Sequence, residues 1–349
     1  MKKIAFILGS MGRGGAERVI SILSRSYAER GYETEIVMLL SNEVGYKLHP
    51  TTRLIDLTGN TTSRLRRLPY WLRSIRKYVK ESKPDVIVSF AARINLLVIN
   101  AVRGLDTKLI ISERNDPRYD GRSKPVDMLT KMQYNRADKV VFQTERAKEY
   151  FQKLTNGTII PNPISVPCYA TAPSGKKVVT MGRLTPQKNQ KMLVEAFSSV
   201  VKEHPDAVLE IYGAGELEDE LSSQIASLGL TENVRLKGNA FDVHERIADA
   251  SIFALPSDYE GLSNALLEAM TMGLPCVSTN CAGADEYITD GKDGFIVNVG
   301  DAAAMASAIT KLLSDEALRA SFAKEAKEKS KRFSTEAVMS LWDEVILEG

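Results

Sequence analysis

Short apolar runs alternate along this chain with longer segments in which apolar side chains recur every three or four residues. Ile4–Gly9, Glu35–Leu40, Val86–Phe90, Lys108–Ser112 and Lys139–Gln143 are strand candidates rich in β-branched and aromatic residues. Near-continuous apolar runs of this kind fit strands buried on both faces of a parallel sheet. Between them, Ala16–Arg30 (ended by Gly31), Asn95–Val102 and Val126–Arg136 carry the helical period. The series begins again at Lys177. Strands are expected at Lys177–Met181, Ala207–Tyr212, Val234–Leu236, Ile252–Leu255, Pro275–Ser278 and Gly294–Val297. Helices are expected at Gln190–Glu203, Glu218–Leu228, Val243–Ala248, Asn264–Met272 and Ala302–Leu313. Such alternation predicts two doubly wound α/β domains. The proline-rich stretch 161–175 is the expected linker, which places the domains at 1–160 and 176–331. The amphipathic tail, 332–349, has no strand after it and is expected to return as a helix to the first domain.

Composition narrows this picture. A chain of 349 residues, 44% hydrophobic and 26% charged, is long enough for two ordinary globular domains. Cys168, Cys276 and Cys281 form no CxxC pair and are odd in number. That argues for a reducing compartment and against a disulfide framework or a zinc site. The apolar run after Met1-Lys-Lys is too short for a signal sequence and leads into a glycine turn, so it reads as a first strand. No stretch approaches the roughly 20 apolar residues that cross a bilayer.

Charge changes it further. The net +2 conceals 29 basic against 16 acidic residues in 1–160, and 17 against 28 in 161–349. The first half is therefore suited to an anionic partner. Ser63–Lys80 holds seven cations and no acid, with Leu72, Ile75 and Val79 at helical spacing and Trp71 and Tyr78 beside them. A helix presenting Arg64, Arg66, Arg67, Trp71, Arg73, Arg76, Lys77 and Lys80 to anionic headgroups is expected, attaching the protein peripherally to the cytoplasmic face of a membrane. Nucleic acid would ask for similar cations, but no nucleic-acid module is recognisable.

The candidate chemistry lies where strands end. Ile252–Leu255 stops at Pro256-Ser257, a loop carries Glu260-Gly261, and a helix starting near Ser263 or Asn264 carries Glu268. Amides of Gly261, Leu262, Ser263 and Asn264 would form an anion cradle at that helix start. Carboxylates beside such a cradle suit hydroxyls, so a ligand that is part phosphate and part polyol, a nucleotide-sugar, fits both. Arg183 and Lys188 follow another strand end and combine a rigid fork with a point charge, fit to neutralise a diphosphate. No DxD-type carboxylate pair stands at a strand end, so no metal is expected. Asp290-Gly-Lys-Asp293 reads as a turn. Gly12, Gly14 and Gly15 make a tight turn that is neither a Walker A loop nor a complete GxGxxG, and the strand ending at Met38–Asn42 lacks the acid of a nicotinamide site.

Four separated signatures, Gly12-Arg-Gly-Gly-Ala-Glu-Arg18, Gly182-Arg-Leu-Thr-Pro-Gln-Lys188, Gly213-Ala-Gly215 and Glu260 with Glu268, span nearly the whole chain. In this order the chain resembles the glycosyltransferase family 4 enzymes. The resemblance implies a GT-B α/β fold, two doubly wound Rossmann-like domains facing each other across a cleft. It implies a retaining, metal-independent enzyme without further cofactor, using a nucleotide-sugar. A UDP-linked hexose or N-acetylhexosamine is the expected donor, and a lipid-linked or polysaccharide-type saccharide the expected acceptor. Glu260 is then expected at the donor sugar hydroxyls, Glu268 at the ribose, and Arg183 and Lys188 at the leaving diphosphate. Gly213, Gly215, Gly238, Asn239, Pro256 and Ser257 would border the nucleotide. Gly14 and Gly15 would meet the donor phosphates or the acceptor, with Arg13 beside them. One departure stands out. Family members carry a histidine followed by aspartate where this chain has Ile111-Ser-Glu-Arg-Asn-Asp-Pro117, so Glu113, Arg114, Asn115 or Asp116 takes that place, Arg114 being the choice. A nucleotide-sugar epimerase or phosphorylase on a similar fold, and a non-catalytic nucleotide-sugar-binding protein, are the rival expectations.

Overall fold

A computed structural model describes the chain apart from residues 1, 13, 60–63, 167–174, 282 and 349, with the backbone alone for 64–66. The expected contact at Arg13 and much of the expected linker lie outside the described residues. The chain divides into two compact units, Met1–Pro163 with Thr335–Gly349, and Ile164–Ser334.

The first unit runs β1 (Lys3–Leu8), α1 (Gly15–Glu29), β2 (Glu33–Met38), β3 (Arg53–Asp56), α2 (Arg64–Ser82), β4 (Val86–Phe90), α3 (Ala92–Ala101), β5 (Lys108–Ser112), α4 (Lys124–Gln133), β6 (Lys139–Phe142), α5 (Glu145–Glu149) and β7 (Gly157–Ile159). Its seven strands are parallel in the order β3-β2-β1-β4-β5-β6-β7. Neighbouring side chains in a strand point to opposite faces. Ile4, Phe6 and Leu8 of β1 therefore pack with α1, while Ala5 and Ile7 pack beneath α2 and α3.

The second unit runs β8 (Lys177–Met181), α6 (Gln190–Glu203), β9 (Val208–Tyr212), α7 (Glu218–Ser227), β10 (Val234–Gly238), α8 (Val243–Arg246), β11 (Ile252–Leu255), α9 (Asn264–Met272), β12 (Cys276–Thr279), α10 (Ala284–Tyr287), β13 (Gly294–Val297), α11 (Ala302–Ser314) and α12 (Glu316–Ser330). Six parallel strands follow the order β10-β9-β8-β11-β12-β13. Val178 and Val179 again face opposite layers. The last helix, α13 (Thr335–Ile346), belongs to the first unit, where Trp342 is fully buried and stacks on Phe90 with ring centroids 6.3 Å apart.

Helix α2 corrects the expectation of a membrane-facing Trp71 and Arg76. Ile75, Tyr78 and Val79 are buried, and Trp71 and Leu72 pack on the same core cluster. Arg76 Nη1 donates to the carbonyls of Ala101 and Arg103 at 2.8 and 2.9 Å, satisfying the end of α3. The apolar stripe thus serves the sheet, because burial against a protein core and burial in a bilayer ask for the same periodicity. Arg67, Arg73, Lys77 and Lys80 are exposed, and the side chains of Arg64 and Arg66 lie outside the described residues.

Candidate active site

Winding in the second unit reverses between β8 and β11, which are neighbours in register at Val178 and Ile252. Such a reversal opens a crevice beyond the carboxyl ends of the two strands, where ligands of open α/β sheets gather. The loops leaving β8 and β11 are tied together there. Asp258 N donates to Gln187 O at 2.9 Å and Gln187 Nε2 to Tyr259 O at 2.9 Å. Asn189, left-handed at φ 45° and capping α6 through Met192 N, donates to Asp258 Oδ1 at 2.6 Å.

This bracing brings Lys188 Nζ to 2.5 Å from Glu260 Oε1, which also accepts from Ser257 Oγ at 2.7 Å. Ser257 is itself held by Thr279 Oγ1, which donates to its carbonyl at 2.6 Å. Glu260 is 7% exposed, so its carboxylate is compensated by a fixed cation and a hydroxyl. Both bonds end on Oε1, and among the described residues Oε2 takes no partner. Arg183 differs. Its backbone is pinned by Gln190 Nε2 at 3.0 Å, while its exposed guanidinium makes no bond among the described residues. Beside the pair, burial pushes the Cys281 thiol up to about 11, and the charge of Glu260 adds to that.

The glycines of the second unit are there for close approach. A Cβ on Gly213 (φ 142°) would lie 1.9 Å from Gly182 O, and one on Gly215 2.3 Å from Leu184 O. The two turns are therefore laid backbone on backbone, which seats Arg183 beneath them. Gly213 N donates to Gly238 O at 2.9 Å, and Asn239 beyond it is exposed. Pro256 and Leu262 are buried behind the β11 loop, and Gly261 is half-buried. Ser263 caps α9, its Oγ accepting from Leu266 N at 3.4 Å, so the first-turn amides beginning at Asn264 gather at the same strand end. Glu268, buried at 6%, lies 3.0 Å through Oε2 from His244 Nε2. A carboxylate only accepts, so Nε2 carries the proton. No motif marked His244, which reaches Glu268 from a separate short helix. Gln187, Asn189 and Thr279 were also missed, although an asparagine just before a helical run is a recognisable cap.

Residues expected to bind ligand in the first unit fare differently. Glu113 is buried, bonded to Tyr134 Oη and paired with Arg122 Nη2 at 2.8 Å. Burial raises its carboxyl above the usual range, against the pull of Arg122. Asp116 is buried and accepts from Arg118 N at 2.9 Å. Arg114 is buried over the rings of Phe90 (4.8 Å) and Trp342 (5.9 Å), with Nη1 3.3 Å from Asn162 Oδ1 and, among the described residues, no partner for Nε and Nη2. Burial pushes its guanidinium down to about 9, still charged at neutral pH. Only Asn115 of the four is exposed. At the start of α1, Gly14 is the N-cap and Gly15 the first, exposed helical residue; a Cβ on Gly14 would lie 2.3 Å from Glu17 Oε2. Among the described residues no cluster of three or more His, Cys, Asp or Glu is placed to hold a metal, and no helix is long and apolar enough to cross a membrane.

Two parallel Rossmann-like units, one carrying a cation–carboxylate pair at its switch point, define a protein of the GT-B class. The family model for Glycosyltransferase Family 4 matches residues 13–166, and that for Glycosyl transferases group 1 matches 169–329. The chain belongs to the GT-B glycosyltransferases of the family 4 type and is a transferase. It is 28% identical over 100% of its length, and 99% of the relative's, to the GalNAc-alpha-(1->4)-GalNAc-alpha-(1->3)-diNAcBac-PP-undecaprenol alpha-1,4-N-acetyl-D-galactosaminyltransferase of Campylobacter jejuni. It is 27% identical, over 99% of each chain, to the amylovoran biosynthesis glycosyltransferase AmsD of Erwinia amylovora. Among solved structures, Anabaena HepE in complex with UDP and glucose shares the fold at a TM-score of 0.84, with 20% identity and 100% of both chains covered. A point mutant of S. aureus TarM in complex with fondaparinux, α-GlcNAc-glycerol and UDP does so at 0.85, with 16% identity and 99% of each covered.

Proposed function

We propose that this transferase is a retaining enzyme that moves a hexose or N-acetylhexosamine from a UDP-sugar to a lipid-linked or polysaccharide-type saccharide. The observation that carries the reading is the braced Lys188–Glu260 pair beside Arg183, whose guanidinium has no partner among the described residues, at the switch point of the second unit. Arg183, Lys188 and the start of α9 receive the diphosphate and stabilise the charge that develops as it leaves, the contribution expected to dominate such a transfer. Those fixed charges do the work a metal ion would do elsewhere. Glu260 offers Oε2 to the donor sugar, and Glu268 takes the ribose. The acceptor proton passes to an oxygen of the departing diphosphate. No covalent sugar intermediate on Glu260 is invoked.

Two likenesses support the finer choices. The Campylobacter relative is named for adding an alpha-linked sugar to an undecaprenyl-diphosphate saccharide, and alpha products from alpha-linked donors mean retention. HepE and TarM were solved with UDP. In the first unit, Glu17 over Gly14 would repel phosphate, so Gly14 and Gly15 are assigned to acceptor hydroxyls. The test is transfer from UDP-, GDP- and ADP-sugars to undecaprenyl-diphosphate saccharides, with the product anomer read by NMR. Turnover with UDP-sugars and an alpha product, unchanged by EDTA, is expected. A beta product, a preference for GDP- or ADP-sugars, or loss with EDTA would each overturn its part of the reading.

A further inference from the structure

Helices α2 and α3 lie side by side over the sheet face that carries Ala5, Ile7 and Val37, and α4 packs beside α3, with Asn100 Nδ2 of α3 donating to Gln133 Oε1 of α4 at 2.7 Å. α4 reverses the usual placement of apolar side chains. Thr130 is its one fully buried residue, whereas Met128 and Met132 are 57% and 65% exposed. Four residues apart, the two methionines stand one above the other on the outward face, and Lys124 and Lys131 run along the same side. Leu129 is exposed next to them. Apolar side chains gathered in solvent mark an interaction surface far more often than a single exposed leucine does.

A second feature adjoins this stripe. A cavity of about 560 Å³ opens beside Met132, lined among others by Arg118, Lys131, Lys153, Tyr150 and Leu154. Lys131 Nζ pairs with Asp127 at 2.9 Å and lies 4.1 Å from the Tyr150 ring centre; Arg118, Lys131 and Lys153 outnumber the one lining carboxylate, Glu149, around the apolar Tyr150, Phe151 and Leu154. The unit that carries this edge has 29 basic against 20 acidic residues. Apolar knobs ringed by cations match the two zones of an anionic bilayer, acyl chains below and phosphates above.

We infer that the α4 edge is a docking surface for an anionic phospholipid bilayer. Met128 and Met132 seat among the acyl chains, and Lys124, Lys131 and Lys153 meet the phosphates. The exposed Arg73, Lys77 and Lys80 of α2 add long-range attraction without inserting. The inference rests on a lipid-linked acceptor, to which this surface would hold the enzyme.

The full chain is to be sedimented with phosphatidylcholine vesicles with and without phosphatidylglycerol, and UDP binding measured in parallel. The wild type binds the phosphatidylglycerol vesicles, and Met128→Ser with Met132→Ser weakens that binding about tenfold while leaving UDP binding unchanged. Met128→Trp gives a blue-shifted emission on mixing with the same vesicles. Equal sedimentation of the double variant, an unshifted tryptophan, or absence of wild-type binding overturns the surface. So does a dimer that the double variant dissolves, because the face then serves self-association. Vesicle binding that depends on the methionines in a chain that ignores UDP supports the surface and sinks the donor reading instead.

Discussion

Lys188 and Glu260 are both largely withdrawn from water, with side chains 16% and 8% exposed, so neither charge is tolerable alone. Removing the lysine leaves a buried carboxylate where the diphosphate is to sit, which turns attraction into repulsion. Lys188→Ala is therefore expected to lower kcat by about 10²–10³-fold, the loss seen when one donor to a developing anion is deleted. Steady-state assays at saturating donor would show it; a change confined to KM would mean that Lys188 only binds. His244 acts at one remove. Its Nε2 holds Glu268 Oε2, and a hydrogen bond to a charged group contributes about 1.5–3 kcal/mol. His244→Ala should weaken UDP binding about tenfold, with kcat preserved at saturation and partial recovery in His244→Gln. Ribose specificity makes the prediction sharp. The loss should vanish when calorimetry is run with 2′,3′-dideoxy-UDP, whereas a merely structural defect would weaken both ligands alike.

Among elements, the two glycine turns of the second unit show how little freedom the site's floor has. At Gly213 a methyl group would collide with a backbone oxygen, at a φ that L side chains rarely adopt. Gly213→Ala is expected to destabilise the protein by about 3 kcal/mol or more, lowering Tm by roughly 10 °C. A variant with unchanged melting would show that the turns can part. Elements with a strong apolar run were readable from the chain, which is why β1, β4, β8 and β11 fall within a residue or two of expectation. β3 and β7 were not, being short edge strands, Arg-Leu-Ile-Asp and Gly-Thr-Ile, without a buried run. α12 escaped because only Phe322, Ala326 and Ser330 of its fifteen residues are buried, too few for a stripe. Helix α2 was readable as amphipathic, but periodicity does not say what covers the apolar side. Motifs marked Lys188 and Glu260 separately; their meeting across 72 residues is made by the adjacency of β8 and β11, a property of strand order that local sequence does not encode.

For the whole molecule, the decisive feature is that α13 completes the unit the chain left at Pro163. Val338, Trp342, Val345 and Ile346 close the face of the first sheet formed by Ile4, Phe6 and Phe90, and Asp343 fastens the helix to Tyr27 Oη and Arg30 at 2.9 Å. Arg114 lies against Trp342 as well, so one aromatic ring carries both packing and a buried cation. Truncating so large a core side chain costs about 3–5 kcal/mol. Among the described residues, the core cluster that holds Trp342 is made of first-unit residues alone. Trp342→Ala should therefore lower the melting of the first unit by roughly 10 °C and leave that of the second unchanged. Differential scanning calorimetry with and without UDP separates the two, because a ligand raises the transition of the unit that binds it. On the proposed donor assignment, the UDP-responsive transition stays in place and the other falls. If both fall together, the units unfold as one cooperative body and α13 stabilises the donor site as well as its own sheet.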